Sequence, residues 1–181
     1  KIFKSLFPIR CGNYRIEILS LRDMDWYIDN LRKDYYNKNL DFNFKRDITK
    51  KAIKIRIYDL VKEYSLDINS DGELRVLMKN ESANEIVSGC TLHKHEKSIE
   101  LGYFTVPKHQ NKGLSSLLLK TITQKVSRGY TDFEYFKAVV HKDNYSSIRV
   151  LNKVGFNLTE EYKGSKTINQ IYTLERYKSC S

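Results

Sequence analysis

Cysteine is scarce in this chain of 181 residues, and the three that occur lie far apart. Cys11, Cys90 and Cys180 form no C-x-x-C pair and are odd in number. We therefore expect no disulfide framework, and a reducing, cytoplasmic compartment. Metal-ligand spacing is also missing from the sequence. His93 and His95 are two residues apart, which is more typical of a solvated turn than of a metal site.

Long hydrophobic runs are lacking as well. No apolar segment approaches the roughly 20 residues that a membrane-spanning helix requires, and residues 1–10 carry only a short apolar cluster instead of a secretion signal. Because no long apolar segment is present, we expect no membrane association. Repeats, low-complexity tracts and linkers do not occur either. A chain of this length with 40% hydrophobic residues is expected to fold as one domain over residues 1–181.

Acidic residues are outnumbered, since 32 Lys and Arg against 22 Asp and Glu give a net charge of +10. Such a charge can indicate a polyanionic partner, for example nucleic acid. The basic residues are scattered, however, and their densest group, at positions 50, 51, 54 and 56, flanks an apolar helical stripe. That arrangement is more typical of a solvated helix side, so a nucleic-acid-binding module is kept only as an alternative.

Hydrophobic periodicity predicts an α/β domain in which an antiparallel meander is followed by alternating helices and strands. The crossover between residues 99 and 140 should join two parallel strands. In chain order we expect a strand over 14–20, a helix that begins with the capping-box-like segment 20–23, a helix over 47–64, a turn over 69–72, strands over 73–79, 85–92 and 98–106, a helix from 114 that ends at Gly129, a strand that ends at Val140, a helix from Asn144, and a hairpin over 156–162 and 170–176.

The segment 99–115 reads I-E-L-G-Y-F-T-V-P-K-H-Q-N-K-G-L-S and is the most informative part of the chain. It predicts a buried strand that stops at Pro107, a loop, and a helix that follows at once. Such a loop directs backbone N–H groups and the positive end of a helix dipole at one point, which suits a phosphate or pyrophosphate. Gly113 lets the backbone approach a ligand, and Lys112 adds a positive charge. An ordinary strand–loop–helix connection is the alternative.

A second motif, N-Y-S-S-I-R-V-L-N-K-V-G-F, covers residues 144–156 and follows an apolar strand-like run. Asn144 is a good helix N-cap, and Ile148, Leu151 and Val154 recur at helical spacing. Gly155 stands where such a helix would end. The motif therefore predicts a second strand–helix connection after the first.

Together and in this order, the two motifs resemble the acetyl-CoA-binding core of the GNAT N-acetyltransferase superfamily. The forms E-L-G-Y-F and N-x-x-S resemble its ribosomal-protein N-acetyltransferase (RimJ/RimL) branch. The resemblance implies a three-layer α/β/α fold with a mixed, mostly antiparallel sheet and a splayed parallel strand pair. It also implies acetyl-CoA as the co-substrate, with no metal.

The same resemblance assigns the cofactor contacts. The pyrophosphate is expected at the loop and the helix start, and the pantetheine arm beside the preceding strand, with further contacts from the second helix. The cofactor-binding residues implied in this way are Tyr103, Phe104, Thr105, Val106, Gln110, Asn111, Lys112, Gly113, Leu114, Ser115, Asn144 and Ser147.

The chemistry requires a general base for the amine and, to a lesser degree, a proton for the leaving thiolate. Glu100 is the first candidate for the base, because it would lie on the central strand, upstream of the acetyl position. Strand parity places it on the same face as Gly102 and Phe104, and a bulge in the strand would change the direction of its side chain. A carboxylate that is salt-bridged at the rim of the sheet is the alternative, and His141, Glu160 and Glu161 are further candidates for the base.

In many GNAT enzymes, a tyrosine that protonates the leaving thiolate occupies the position that is Leu151 here. The resemblance to the ribosomal-protein branch instead implies an acid role for Ser147, whose alternatives are a pantetheine contact and a plain helix hydroxyl. The implied acceptor is a primary amine, with the N-terminal α-amine of a protein as one candidate. Alternatives are a small-molecule amine (polyamine, amino sugar or antibiotic) and a CoA-binding module without catalysis.

Overall fold

The computed structural model describes residues 3–31, 55, 73–164 and 167–177. Within them, strands form one mixed sheet, in which all neighbours are antiparallel except one parallel pair. The strands are β1 (Ile9–Cys11), β2 (Tyr14–Ile18), β3 (Glu73–Asn80), β4 (Glu85–Lys94), β5 (Ser98–Thr105), β6 (Tyr135–His141), β7 (Asn157–Lys163) and β8 (Ile168–Glu175). Their order in the sheet is β1-β2-β3-β4-β5-β6-β8-β7, and the parallel pair is β5 and β6.

Two helices pack on one face of this sheet. The first, α2 (Leu114–Gly129), buries an apolar stripe because its leucines, isoleucine and valine recur at helical spacing. The second, α3 (Tyr145–Val154), ends at Gly155, whose φ of +104° is a left-handed conformation suited to glycine. Side chains from alternating strand positions join both helices in one core, for example Val76, Cys90, Leu101, Phe136, Leu118 and Leu151.

The described chain divides into two compact units, one of residues 1–18 and 68–181 and the other of residues 19–67. In the second unit, a 3-10 turn (Leu21–Asp23) leads into α1 (Met24–Leu31). The predicted capping-box start is wrong in detail. The Ser20 side chain caps no backbone N–H and instead donates a hydrogen bond to the Asp23 carboxylate, at 2.7 Å.

Most of the predicted elements are confirmed. The meander β3–β4–β5, helix α2 with its end at Gly129, helix α3 and the closing hairpin lie within a few residues of their expected bounds. The strand expected over 14–20 ends at Ile18, and β1 was not foreseen. The helix expected over 47–64, its basic cluster and the turn over 69–72 lie outside the described residues, apart from residue 55, which is helical. None of the helices in the described ranges is long and apolar enough to cross a membrane.

Candidate functional site

The parallel strands β5 and β6 separate after a short contact. Their register partners are Ser98 with Tyr135, Ile99 with Phe136, and Glu100 with Lys137. Beyond this point β5 pairs only with β4, and β6 pairs only with β8, as far as the described residues show. A gap therefore opens between residues 101–105 of β5 and residues 138–141 of β6, here called the strand gap.

Backbone groups of β5 point into the strand gap. The N–H of Val106 donates to the Val87 carbonyl at 3.0 Å, which makes Thr105 and Ser88 a non-hydrogen-bonded pair of the antiparallel ladder. By alternation, Phe104 bonds to β4, whereas the N–H and C=O groups of Tyr103 and Thr105 face the gap. The Thr105 carbonyl accepts a hydrogen bond from Gln110 Nε2 at 3.3 Å. The other groups form a strand edge on which an extended ligand could pair.

A short segment, here called the glycine loop (residues 107–113), connects β5 to α2. It begins with a 3-10 turn (Pro107–His109) and contains two left-handed residues, Asn111 with φ +59° and Gly113 with φ +75°. Gly113 is the N-cap of α2, and among the described residues no side chain caps the start of this helix. Because the first intrahelical bond is Leu117 N–H to Gly113 C=O, the helix N–H groups before Leu117 have no partner within the helix. This end is suited to an anion.

Glu85, at the start of β4, braces the glycine loop. Its carboxylate pairs with Lys108 Nζ and with His109 Nε2, the latter at 3.1 Å. The hydrogen bond from Lys108, reinforced by its charge and by His109, holds the pKa of Glu85 below its ordinary value. Lys112 is exposed, and no carboxylate in the described ranges pairs with it. The free positive charge of the loop is therefore at Lys112, next to the open helix end.

A chain of hydroxyl groups joins β4, β5 and α2. Ser88 Oγ donates to the Phe104 carbonyl at 2.5 Å and lies 3.2 Å from Thr105 Oγ1, which lies 2.5 Å from Ser115 Oγ. The single proton of Ser88 is used on Phe104, so Thr105 donates to Ser88 and Ser115 donates to Thr105. Ser115 can therefore offer its backbone N–H, rather than its hydroxyl proton, to an anion at the helix start.

The start of α3 is held from two sides. Asn144 Oδ1 accepts from the Ser147 N–H at 3.2 Å and from Ser146 Oγ at 2.9 Å, so Asn144 is the predicted N-cap. Tyr103 reaches across from β5, and its hydroxyl donates to the Ser147 carbonyl at 3.0 Å. Burial raises the pKa of Tyr103, which keeps the phenol protonated as a donor. The Ser147 hydroxyl forms no hydrogen bond within the described ranges and is available to a ligand.

Glu100 lies on the other face of β5. Ile99 and Leu101 belong to the core below α2 and α3, and the register between β4 and β5 has no bulge, so parity places Glu100 with Gly102 and Phe104, as predicted. Its Oε2 lies 3.4 Å from Lys137 Nζ and 3.6 Å from His95 Nε2. The Glu100 side chain is 34% exposed, so it is an ion-paired carboxylate that solvent still reaches.

The side chains of His93 and His95 lie next to each other, with their ring centroids 4.5 Å apart. No group of His, Cys, Asp and Glu side chains in the described ranges could hold a metal ion.

The other candidate bases are on β6 and β7. His141 is the last residue of β6 and borders the strand gap, whereas Glu160 and Glu161 are on β7, which β8 separates from β6. Glu161 accepts a hydrogen bond from Gln170 at 2.5 Å and lies 3.9 Å from Lys142.

The sequence did not predict a place at the site for four residues: Glu85, Ser88, His95 as a neighbour of Glu100, and Lys137. Only Ser88 left a signal, as a small polar residue inside a strand of buried positions.

Comparisons with known proteins agree with this geometry. A family model described as an acetyltransferase (GNAT) domain matches residues 21–157. No curated protein matches the sequence. The solved structures that are similar include RimL, a ribosomal L7/L12 α-N-protein acetyltransferase in complex with coenzyme A, at 13% identity and a TM-score of 0.79, with 93% of this chain and 97% of that chain covered.

Two further structures have TM-scores of 0.75. The spermidine N-acetyltransferase from Vibrio cholerae, in complex with CoA and spermine, is 11% identical and covers 92% of this chain and 97% of its own. The ribosomal-protein-S5-alanine acetyltransferase from Vibrio fischeri is 13% identical and covers 93% and 96%. At these identities the likeness establishes the fold, and it confirms the predicted fold class.

Proposed function

We propose that this chain, which belongs to the GNAT acetyltransferase family, transfers the acetyl group of acetyl-CoA to a primary amine. One observation carries the proposal: the strand gap lies beside the uncapped start of α2, on the same strand–loop–helix segment. CoA has an extended, amide-containing arm attached to a pyrophosphate. Its arm matches the open edge of β5, and its pyrophosphate matches the open helix end.

The residues expected from the sequence to contact the cofactor are proposed to divide into direct contacts and residues that hold the site in place. Tyr103 and Thr105 would pair with the arm through their backbone, while Phe104 and Val106 keep β5 attached to β4 through theirs. Gln110 secures the Thr105 carbonyl. The remaining contacts of the pyrophosphate would come from the backbone around the helix start and from the charge of Lys112: Asn111, Lys112, Gly113, Leu114 and Ser115.

Acetyl-CoA supplies an activated thioester, so the protein has to deliver a neutral amine to it. Glu100 is the proposed base, acting directly or through a water molecule. Its place at the last paired position of β5, where the strand gap begins, supports this role. Lys137 and His95 hold the carboxylate in place.

Ser147 is proposed to contact the departing sulfur or the pantetheine arm. Its free hydroxyl and its doubly held backbone support this role, because the serine is presented in one fixed position. Protonation of the thiolate is a mild requirement, since a thiol has an ordinary pKa of about 8.5. We therefore propose that Ser147 acts mainly in binding. Asn144 acts by capping α3, with its side chain used on Ser147 and Ser146.

For the acceptor we propose the N-terminal α-amine of a protein, as in the RimJ/RimL branch. The likeness to RimL and to the S5-alanine acetyltransferase supports this proposal. The likeness to a spermidine acetyltransferase supports a small-molecule amine as the second candidate. The net charge of +10 favours the first, because it would repel a polycation and attract an acidic protein.

The wider setting is also proposed from the sequence. We propose a single acetyltransferase domain over 1–181, which the family match across both compact units supports. A cytoplasmic location is supported by the isolated cysteines, of which Cys11 and Cys90 are free thiols.

Calorimetric titration with acetyl-CoA tests the proposal first. Saturation at about a hundred times Kd should stabilise the fold by about 2.7 kcal/mol, which a thermal shift would register. Release of CoA thiol should then be measured with peptides that carry acidic N-terminal segments, with spermidine and with an amino sugar. Absence of binding at millimolar acetyl-CoA would overturn the whole proposal. Thiol release with spermidine but with no peptide would establish the second candidate, and binding without turnover of any amine would indicate a CoA-binding module.

A further inference from the structure

We infer that Ser88, a residue of β4 outside the glycine loop, is a positioning residue that sets the distance between the two halves of the cofactor site. The inference rests on the proposed function and adds a residue to that same site. It depends on the hydroxyl chain Ser115–Thr105–Ser88, which ends on the Phe104 carbonyl.

The two ends of this chain belong to different parts of the proposed site. Thr105 is the last residue of β5 and lines the strand gap, where the pantetheine arm would pair. Ser115 is in the first turn of α2, where the pyrophosphate would bind. Between them the backbone runs through the glycine loop, with left-handed turns at Asn111 and Gly113. The contact of 2.5 Å between Thr105 Oγ1 and Ser115 Oγ closes this loop directly.

Ser88 determines how Thr105 points. It is completely buried, so water cannot replace its hydrogen bonds. Its proton goes to the Phe104 carbonyl, and its oxygen then accepts the proton of Thr105. Without Ser88, the Thr105 hydroxyl would lose its acceptor and could turn away from Ser115.

The backbone at Ser88 supports a specialised role. The register between β3 and β4 shifts here: Met78 pairs with Ser88, whereas Lys79 pairs with Ile86, so Val87 is an extra residue. Such a bulge redirects the neighbouring side chain and is frequent beside functional sites. The Val87 carbonyl accepts from the Val106 N–H, which fixes the end of β5 on the same short segment.

One ligand, CoA, would contact both halves of the site at once, so the distance between the halves should affect the affinity of CoA more than the affinity of a ligand that contacts only one half. The test compares CoA with 3′-phospho-ADP, which contains the pyrophosphate but no pantetheine arm. Affinities are measured by calorimetry for the wild-type protein, Ser88→Ala and the near-isosteric Thr105→Val. If Ser88→Ala does not fold, Thr105→Val carries the test alone.

Ser127→Ala is the matched control. Ser127 is also a buried serine, its hydroxyl accepts the Tyr177 N–H at 3.2 Å, and it lies at the opposite end of α2 from the glycine loop. The control therefore loses a buried hydroxyl in the same unit without touching the proposed chain. Melting temperatures of all variants report the purely structural cost.

We expect Ser88→Ala and Thr105→Val each to weaken CoA about 3- to 10-fold, the effect of one hydrogen bond. We expect 3′-phospho-ADP to bind within about twofold of wild type, as both ligands should to Ser127→Ala. The double variant should lose little more than either single variant, because both break one chain. Equal weakening of both ligands would overturn the inference, as would CoA affinity no lower than in Ser127→Ala. A wild-type protein that binds neither ligand would overturn the proposed function itself.

Discussion

Glu100 and Lys137 are the last register partners of the parallel strands β5 and β6, and their side chains form an ion pair of 3.4 Å where the strands separate. The pair therefore marks the closed end of the strand gap. It places the proposed base at the end of the strand gap where the two strands are still paired, with Lys137 holding the carboxylate in position.

Replacing Glu100 by Gln should lower turnover about a hundred- to ten-thousand-fold, the range for loss of a positioned base. Binding of acetyl-CoA should change little, because Glu100 lies on the face of β5 away from α2 and α3. The pH–rate profile should lose or shift its acidic limb. Steady-state kinetics and calorimetry check both parts.

Glu134→Gln is the control, since Glu134 also pairs with a lysine, Lys97 at 3.2 Å, but is exposed and outside the proposed site. If Glu100→Gln turns over as fast as the control at every pH, the base is water or another residue. His141, Glu160 and Glu161 are then the next candidates.

Gly113→Val should abolish acetyl-CoA binding. A β-branched residue resists the left-handed φ of +75°, and its side chain would project where the anion is proposed to lie. Gly12→Val is a matched control, because Gly12 has φ +57° and, like Gly113, has no atom of the described residues, apart from its chain neighbours, within 4 Å of where a Cβ would lie. Both variants should show similar losses in melting temperature, and only Gly113→Val should lose the ligand. Normal CoA binding by a folded Gly113→Val protein would exclude the glycine loop as the phosphate site.

Ser147→Ala should cost less turnover than Glu100→Gln. The hydroxyl is proposed to contribute one hydrogen bond to the pantetheine arm, worth about 0.5–1.5 kcal/mol, so its loss should raise the Michaelis constant for acetyl-CoA. Ser146→Ala, which removes the neighbouring exposed hydroxyl, should leave this constant within about twofold. A collapse of kcat with unaltered cofactor affinity would instead establish Ser147 as the acid for the thiolate.

Glu85→Gln should reduce the sensitivity of the protein to acid. The folded-state pKa of Glu85 is lowered by Lys108 and His109, so the carboxylate stabilises the fold above the ordinary value of 4.5. This contribution is lost as the pH falls below 4.5 and through the lower folded pKa. The wild-type protein should therefore melt at a higher temperature than Glu85→Gln at neutral pH, and the two melting temperatures should converge at acidic pH. Glu81→Gln, which loses a looser ion pair of 3.8 Å with Arg10, is the comparison. A constant difference between the wild-type and Glu85→Gln curves at all pH values would contradict this account.

The elements that lie around the site were predictable because their signals are local. Pro107, Gly113 and the apolar stripe after it specify a strand end, a left-handed turn and a helix start within a few residues. Asn144 and Gly155 likewise bracket α3. The two motifs in order were enough to predict the GNAT family, and the match over residues 21–157 confirms it. The individual roles of Glu100 and Ser147 stay predictions.

The order of the last strands could not be predicted in the same way. A hairpin can join a sheet through either of its strands, and here β8 lies between β6 and β7, which leaves every residue of β7 exposed. The end of β2 was placed too late, at residue 20 instead of Ile18. The short β1 was missed, because a three-residue strand such as Ile9–Cys11 carries too little periodicity to recognise.

By itself, the sequence determined where the backbone turns, which residues cap helices and which side chains are buried, since propensity and periodicity act over a few neighbouring residues. Only the tertiary structure decided which distant side chains meet. Tyr103 and Ser147 are 44 residues apart, and Ser88 is 17 residues from Thr105. Their contacts follow from strand register and from the bulge at Val87, which are set by how the whole sheet pairs and packs. The local pattern therefore predicted the loop and the helix start, whereas the partners of Glu100 and the hydroxyl chain behind Ser115 emerged only from the fold.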